Sequence, residues 1–171
     1  KLYAFFDVKD NSPMVNGGAN FEKLFKTGDV ADIFLSPTNN NSSDPASGDL
    51  RISLSEMQGK PIAVLYKQKD ANADGSNFYN YNSPVGSVDF DVVKIIDNAE
   101  ISIVKSISGY TLEAAIPFAA LGITVDDDTT LSGDVGIVAS DEAGTKNTAR
   151  IYYYNKDTGL VSDLPNEARF Y

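Results

Sequence analysis

The sequence predicts an all-β protein, an antiparallel β-sandwich of jelly-roll-like or immunoglobulin-like layering with one short helical turn. Short segments alternate between apolar and polar residues with a period of two, which is the pattern of half-buried strands. Turn residues separate these segments at intervals of roughly ten residues, as in sandwiches and barrels. The chain of 171 residues has no cysteine, so a packed core must stabilise it without disulfides.

The clearest strand covers residues 110–116, where every second residue is apolar. Pro117 ends it, because proline cannot donate to the hydrogen-bond ladder of a sheet. Residues 118–121 then predict a single helical turn, closed by Gly122 in the left-handed conformation that glycine adopts easily. The side chains predicted to face the core from this strand are Tyr110, Leu112, Ala114 and Ile116.

The same alternation predicts eight further short strands. They cover residues 2–8, 30–35, 50–54, 62–66, 88–96, 101–107, 135–139 and 149–154. Short connections between 88–96, 101–107 and 110–116 predict an antiparallel meander. Two polar stretches without periodicity, 36–48 and 68–84, are predicted as loops, and residues 21–26 as one helical turn.

The length of the chain matches one domain. Its first residues resemble a strand entered midway, without the cleavage pattern of a signal peptide. We therefore expect residues 1–171 to form a single β-sandwich module, a fragment of a longer extracellular or cell-surface protein of the secreted bacterial type. No apolar run approaches the ~20 residues that cross a bilayer, so no membrane span is predicted.

Composition argues against several classes of function. A formal charge of -10 repels phosphate backbones, so nucleic acid is not expected as a partner. The chain has no histidine, and so lacks the commonest general base and the usual zinc and haem ligand. No nucleophile–base set or phosphate loop is present either, and we predict that the protein is not an enzyme.

Several segments in a fixed order carry a resemblance to a known family. They are residues 7–10, 28–35, 109–117 and 133–137, the last leading to the acidic loop 140–144. Together they resemble the carbohydrate-binding module family 9-like domains, which belong to a wider β-sandwich group that includes DOMON domains. The resemblance implies a β-sandwich that serves as an accessory module of a larger extracellular protein.

The chain departs from this family at its sugar clamp. Sugar-binding members hold a terminal sugar between a pair of tryptophans, and this chain has no tryptophan. Phe118 stands where a tryptophan usually follows the Ile-Pro pair. A sugar site would therefore need other aromatic side chains.

One loop resembles the first half of a calcium-binding loop. Oxygen-bearing side chains alternate there and are followed by Gly75, which permits a sharp turn. The candidate ligands are Asp70, Asn72, Asp74 and Ser76. Tyr81 occupies the twelfth position, where calcium loops place a glutamate, so a further carboxylate must come from elsewhere. Asp141 is the candidate, because the resemblance places an acidic residue in its loop; the alternative is an ordinary solvated loop.

Tyrosine can stack on a sugar ring and hydrogen-bond to it with the same side chain. The candidate ligand-binding residues are Tyr79, Tyr81, Arg150, Tyr152 and Tyr154, of which Tyr79 and Tyr81 are expected to be exposed in a polar loop. The alternative for Tyr152 and Tyr154 is an aromatic stripe packed under a loop. Glu113 is assigned a structural role, such as pairing with Arg51, Lys105 or Arg150.

The sequence thus predicts a non-catalytic accessory module that binds a glycan or polysaccharide, with a structural calcium ion. The alternative is a structural or adhesive module that contacts proteins or other domains of its parent chain and has no sugar affinity. The two differ in one structural expectation. Glycan binding requires the candidate tyrosines to line one exposed concavity.

Overall fold

The computed structural model describes residues 1–38, 45–75, 79–83 and 86–154, and it confirms the predicted all-β sandwich. In this part of the chain eleven strands form three antiparallel sheets, with two single-turn helices, α1 (Leu24–Thr27) and α2 (Phe118–Leu121). The strands are β1 (Leu2–Lys9), β2 (Val30–Ser36), β3 (Leu50–Met57), β4 (Lys60–Lys67), β5 (Tyr79–Ser83), β6 (Gly86–Phe90), β7 (Val92–Ile95), β8 (Glu100–Ser106), β9 (Gly109–Ile116), β10 (Ser132–Ser140) and β11 (Asn147–Tyr152).

The larger sheet has six strands in the order β11-β10-β2-β3-β4-β7. A three-stranded sheet, β1-β9-β8, packs on one of its faces, and the β5-β6 hairpin together with α1 packs on the other. The middle strands of the larger sheet are therefore buried on both faces. This explains why every residue of β2 is buried, polar ones included.

Two apolar clusters fill the two interfaces. The core between the sheets includes Ala31, Ile33, Ile52, Leu54, Leu65, Tyr110, Leu112, Ala114 and Ile116. The core under the hairpin includes Phe25, Val30, Ile62, Val64, Tyr66, Tyr81, Val88 and Phe90. The prediction for the core face of the strand at 110–116 is confirmed, since all four of its predicted side chains lie in the first cluster.

Two details of the strand assignment are wrong. The stretch 68–84, predicted as a loop, contains β5, and the single strand predicted at 88–96 is divided into β6 and β7. Asp91 marks the division, and its carboxylate accepts a hydrogen bond from the backbone N–H of Asp70 at 2.8 Å. The chain bends there because β6 pairs within the hairpin, whereas β7 pairs with β4 at the edge of the larger sheet.

The smaller sheet covers only part of the larger one. Strand β8 lies near β4, and three strands cannot extend across six. Strands β10 and β11 therefore project beyond the cover. Their exposed apolar side chains, with the residue that follows β11, are Val135, Ile151 and Tyr153.

The predicted helical turn at 118–121 is confirmed as α2, and Gly122 closes it in the left-handed conformation with φ 71°. None of the helices in the described residues is long and apolar enough to cross a membrane.

Candidate functional site

The outer face of the three-stranded sheet carries the most exposed aromatic pair on a strand. On β1, Tyr3 is 74% exposed and Phe5 is 63% exposed. They alternate with Leu2, Ala4 and Phe6, which pack against the core between the sheets. Because residues two apart on a strand point to the same face about 6.8 Å apart, the two rings are held side by side by the backbone of β1.

The strand register places a small and a polar side chain beside these rings. Tyr3 is opposite Ala115, which in turn is opposite Glu100. Because the alanine side chain is short, the sheet surface dips between its neighbours and forms a shallow groove of about 630 Å³. The outward-facing side chains that line this aromatic groove are Tyr3, Phe5, Glu100, Ser102, Glu113 and Ala115.

Glu113 lies on the central strand of this face, between Phe5 on β1 and Ser102 on β8. Directly opposite residues in an antiparallel pair have Cβ atoms about 5 Å apart, so the Glu113 and Phe5 side chains are cross-strand neighbours on this face. Among the described residues no hydrogen-bond or ion-pair partner of Glu113 is found. The side chain is exposed and open to a ligand.

The structural role predicted for Glu113 is therefore wrong. Two of its expected partners are engaged elsewhere: Arg51 pairs with Asp32 at 2.6 Å and Lys105 with Glu56 at 2.6 Å. The other charges on the outer face also pair with each other, Lys1 with Glu100 and Lys9 with Asp7. Within the described residues, Glu113 is left as the uncompensated carboxylate of this face.

The structure separates the tyrosines predicted to bind a ligand. Tyr81 lies on β5 and is only 3% exposed, so the prediction of an exposed loop tyrosine is wrong. Its hydroxyl donates to the carbonyl of Glu22 at 2.8 Å, and its ring packs edge-on against Phe90. Tyr79 is half-buried against the same cluster. The hairpin turns these side chains towards the larger sheet, which a loop assignment could not show.

Arg150 and Tyr152 lie on one face of β11, next to Val138 and Gly136 of β10. Tyr152 is half-buried, and its hydroxyl donates to Asp32 Oδ2 at 2.8 Å. Burial raises the pKa of Tyr152 above its ordinary value. Tyr154 lies past the end of the strand and is 60% exposed. Since Tyr81 and Tyr152 are engaged inside the fold, the described tyrosines do not line one exposed concavity.

Tyr152 is bonded to a buried polar cluster on the face of the larger sheet that the β5-β6 hairpin and α1 cover. Arg51 donates from Nε and Nη2 to the two oxygens of Asp32, at 2.9 and 2.6 Å, and the Ser53 hydroxyl donates to Asp32 Oδ1 at 2.7 Å. The guanidinium also lies over the rings of Phe25 and Phe34, with distances of 4.8 and 5.4 Å to their centroids. Asp32 accepts from three different residues, so this cluster supports the fold.

Asp70, the first residue of the predicted calcium loop, already accepts hydrogen bonds within the protein. Asp70 Oδ2 accepts from Lys67 Nζ at 3.0 Å, and Oδ1 accepts from the backbone N–H of Asn72 at 2.9 Å. These two donors lower the pKa of Asp70. Asn72 and Asp74 are exposed, and Ser76 lies outside the described residues. A calcium ion here would have to displace Lys67 from Asp70.

Asp141 lies at the other end of the larger sheet. It follows β10 at the end of the sheet where β4 starts, whereas Asp70 follows the end of β4 at the opposite end. Its carboxylate accepts from the backbone N–H and the hydroxyl of Thr145, at 2.7 and 2.9 Å, and so closes the β10-β11 turn. In the described part of the chain no three acidic side chains are grouped to hold a metal ion. The structure does not bring Asp141 to the loop at Asp70.

Tyr3 and Phe5 were not predicted as site residues, although one signal in the sequence pointed to them. Residues 2–6 are all apolar, so both faces of this strand carry apolar side chains. The three-stranded sheet packs on the larger sheet with one face, so β1 can bury the side chains of only one of its two faces. Phe118, at the position of the family tryptophan, packs partly buried against the core between the sheets.

The structure assigns the chain to the all-β sandwich domains, and its surface site is an open groove with an aromatic wall. No protein-family model, curated protein or solved structure matches the chain.

Proposed function

We propose that this domain is a non-catalytic glycan-binding module that holds a polysaccharide in the aromatic groove. The observation that carries the proposal is the adjacent pair of exposed rings, Tyr3 and Phe5, on a strand whose opposite face is fixed in the core. Side chains presented by a sheet are held in place before the ligand arrives. Binding therefore costs less conformational entropy than it would on a mobile loop.

The chemistry of the groove suits a sugar chain. The aromatic rings offer apolar surface to the C–H face of a pyranose, and the tyrosine hydroxyl can hydrogen-bond to the same sugar. Glu113 lies across from Phe5 and Ser102 lies across from Glu113, and they offer a carboxylate acceptor and a hydroxyl to sugar hydroxyls. The groove is open along the surface, which fits an extended polymer better than a small enclosed ligand.

The resemblance to family 9-like modules supports the same class of function, and with it an extracellular setting as part of a longer protein. The groove nevertheless differs from a tryptophan clamp, because both of its rings are on one edge strand. The calcium ion predicted at Asp70–Ser76 is a further proposal, independent of the groove.

A protein-interaction module is the second candidate. The projecting surface of β10 and β11 favours it, since the exposed side chains of Val135, Ile151 and Tyr153 are large and apolar. Contiguous exposed apolar surface of this kind often marks a protein contact. A module of this type would bind no polysaccharide and would depend on this projecting surface.

Binding to soluble polysaccharides by affinity electrophoresis, followed by calorimetry, tests the proposal. We expect Tyr3→Ala and Phe5→Ala each to weaken binding at least about tenfold, which corresponds to about 1.4 kcal/mol. Tyr154→Ala is the matched control, because it removes another well-exposed aromatic ring that lies outside the groove. Both groove side chains are exposed, so neither substitution should prevent folding.

Three results would contradict the proposal. The native domain could bind no polysaccharide, which would favour the protein-interaction module. Tyr3→Ala and Phe5→Ala could bind normally while Tyr154→Ala does not, which would return the site to the tyrosines predicted from the sequence. Equal losses for all three variants would indicate a general effect of aromatic surface.

A further inference from the structure

Resting on the proposed glycan site, we infer that the groove selects sugar chains that carry free amino groups, such as glucosamine polymers, over acetylated or acidic ones. The selecting residue is Glu113. It is the carboxylate on this face that has no partner among the described residues, and it lies directly beside an exposed aromatic ring.

The charged side chains around the groove are paired, except for Glu113 among the described residues. Lys1 neutralises Glu100, and Lys9 neutralises Asp7 at 2.8 Å, so these pairs leave no net charge beside the rings. Glu113 stands between them on the central strand. A ligand in the groove therefore meets one negative charge, on a protein whose overall charge of -10 adds to the same field.

The ring beside Glu113 favours the same ligand charge. An ammonium group over the face of an aromatic ring is attracted by the electrons of the ring. In the register of the sheet, an amine stacked on Phe5 also lies within reach of the Glu113 carboxylate opposite. An acetylated amine carries no charge and gains neither attraction, and a uronic acid is repelled by Glu113.

The experiment compares two ligands that differ only in acetylation, a glucosamine oligosaccharide and its N-acetylglucosamine counterpart, by calorimetry below the pKa of the amine. We expect the native domain to bind the free amine about tenfold more tightly. Glu113→Gln should reduce this preference to what the aromatic ring alone contributes. The glutamine amide oxygen still accepts hydrogen bonds from sugar hydroxyls, so the acetylated ligand should lose much less affinity than the free amine. Glu142→Gln removes one exposed carboxylate outside the groove and should keep the preference.

Each outcome separates this inference from the proposed function. If both ligands bind equally and still depend on Tyr3 and Phe5, the selectivity is wrong and the glycan site stands. If Glu113→Gln and Glu142→Gln reduce the preference equally, overall charge and not Glu113 is responsible, and the inference fails. If neither oligosaccharide binds but a lysine-rich peptide does, the groove is a peptide site, and both the inference and the proposed function fail.

Discussion

At the scale of single residues, Asp32 and Arg51 form a buried ion pair in the larger sheet. Both groups are buried, Asp32 completely, and each oxygen of Asp32 accepts from Arg51 and from one further donor. Taking two charges out of water is expensive, and only close pairing and full hydrogen bonding repay the cost. The cluster also ties β11 to the centre of the larger sheet, because Tyr152 contributes one of those donors.

We expect Arg51→Ala to lower the free energy of unfolding by about 3–5 kcal/mol, since it leaves the Asp32 carboxylate buried without its countercharge. Tyr152→Phe removes one hydrogen bond to that carboxylate, and we expect a loss of about 1.5–3 kcal/mol. Urea unfolding measures both. Ile151→Ala, at an exposed neighbouring position, is the control. Losses for Arg51→Ala and Tyr152→Phe no larger than that of the control would show that the cluster does not stabilise the fold.

At the level of elements, the β10-β11 hairpin lies at the edge of the larger sheet and is hydrogen-bonded to the loop that follows β1. Asp141 closes the hairpin turn through its bonds with Thr145, and the backbone N–H of Gly17 donates to the carbonyl of Gly144 at 2.8 Å. Ser140, just before the turn, donates from its N–H and hydroxyl to buried Asp29, at 2.7 and 2.9 Å. The turn is therefore held from both sides.

The pH dependence of the hairpin follows from Asp141. Donation by the N–H and hydroxyl of Thr145 lowers the pKa of Asp141, so the folded state binds its proton less readily than the unfolded state. This group therefore contributes stability above its unfolded pKa of about 3.9, and the contribution is lost as the pH falls through the folded value. We expect Asp141→Asn to reduce the fall in Tm between neutral and acidic pH.

The measurement is Tm as a function of pH for the native chain and for Asp141→Asn. Asp127→Asn is the matched control, because Asp127 is an exposed aspartate that lies outside the β10-β11 turn. Parallel pH profiles for the native chain and Asp141→Asn would mean that the turn contributes nothing to acid stability.

For the molecule as a whole, the different sizes of the two packed sheets determine which side chains are exposed. Six strands face three, and the second face of the larger sheet is covered by a hairpin that the sequence did not reveal. Among the described residues, the exposed aromatic or apolar surface includes the aromatic groove and the projecting strands β10 and β11. The proposed function and its alternative each depend on one of them.

The proposed calcium ion is tested on the whole molecule, by thermal unfolding with calcium and with excess chelator. An ion bound at a hundred times its Kd would add about 2.7 kcal/mol and raise Tm by several degrees. Asp74→Asn should remove that increase and Glu142→Gln should keep it. An identical Tm in calcium and in chelator would show that the loop at Asp70 holds no stabilising ion and that Lys67 remains its partner.

Features that depend on neighbouring residues could be predicted from the sequence, and features that depend on distant segments could not. The strand at 110–116, its core face and the turn closed by Gly122 were predictable, because each depends on neighbours a few residues apart. The exposure of Tyr3 and the burial of Tyr81 were not, because each depends on which distant segment covers the side chain. Glu113 was misassigned for the same reason, because two of its expected partners, Arg51 and Lys105, pair with other carboxylates.

From its amino acids alone, this chain is an acidic, cysteine-free and histidine-free β-sandwich, since composition and alternation are local properties that survive any arrangement of the strands. Which of its aromatic side chains are exposed is determined only when the sheets pack together. A three-stranded sheet leaves the outer side of β1 in solvent, whereas the hairpin folds Tyr81 against the larger sheet. The physical reason is that burial is a contact between segments far apart in the chain, and such contacts exist only in the folded molecule.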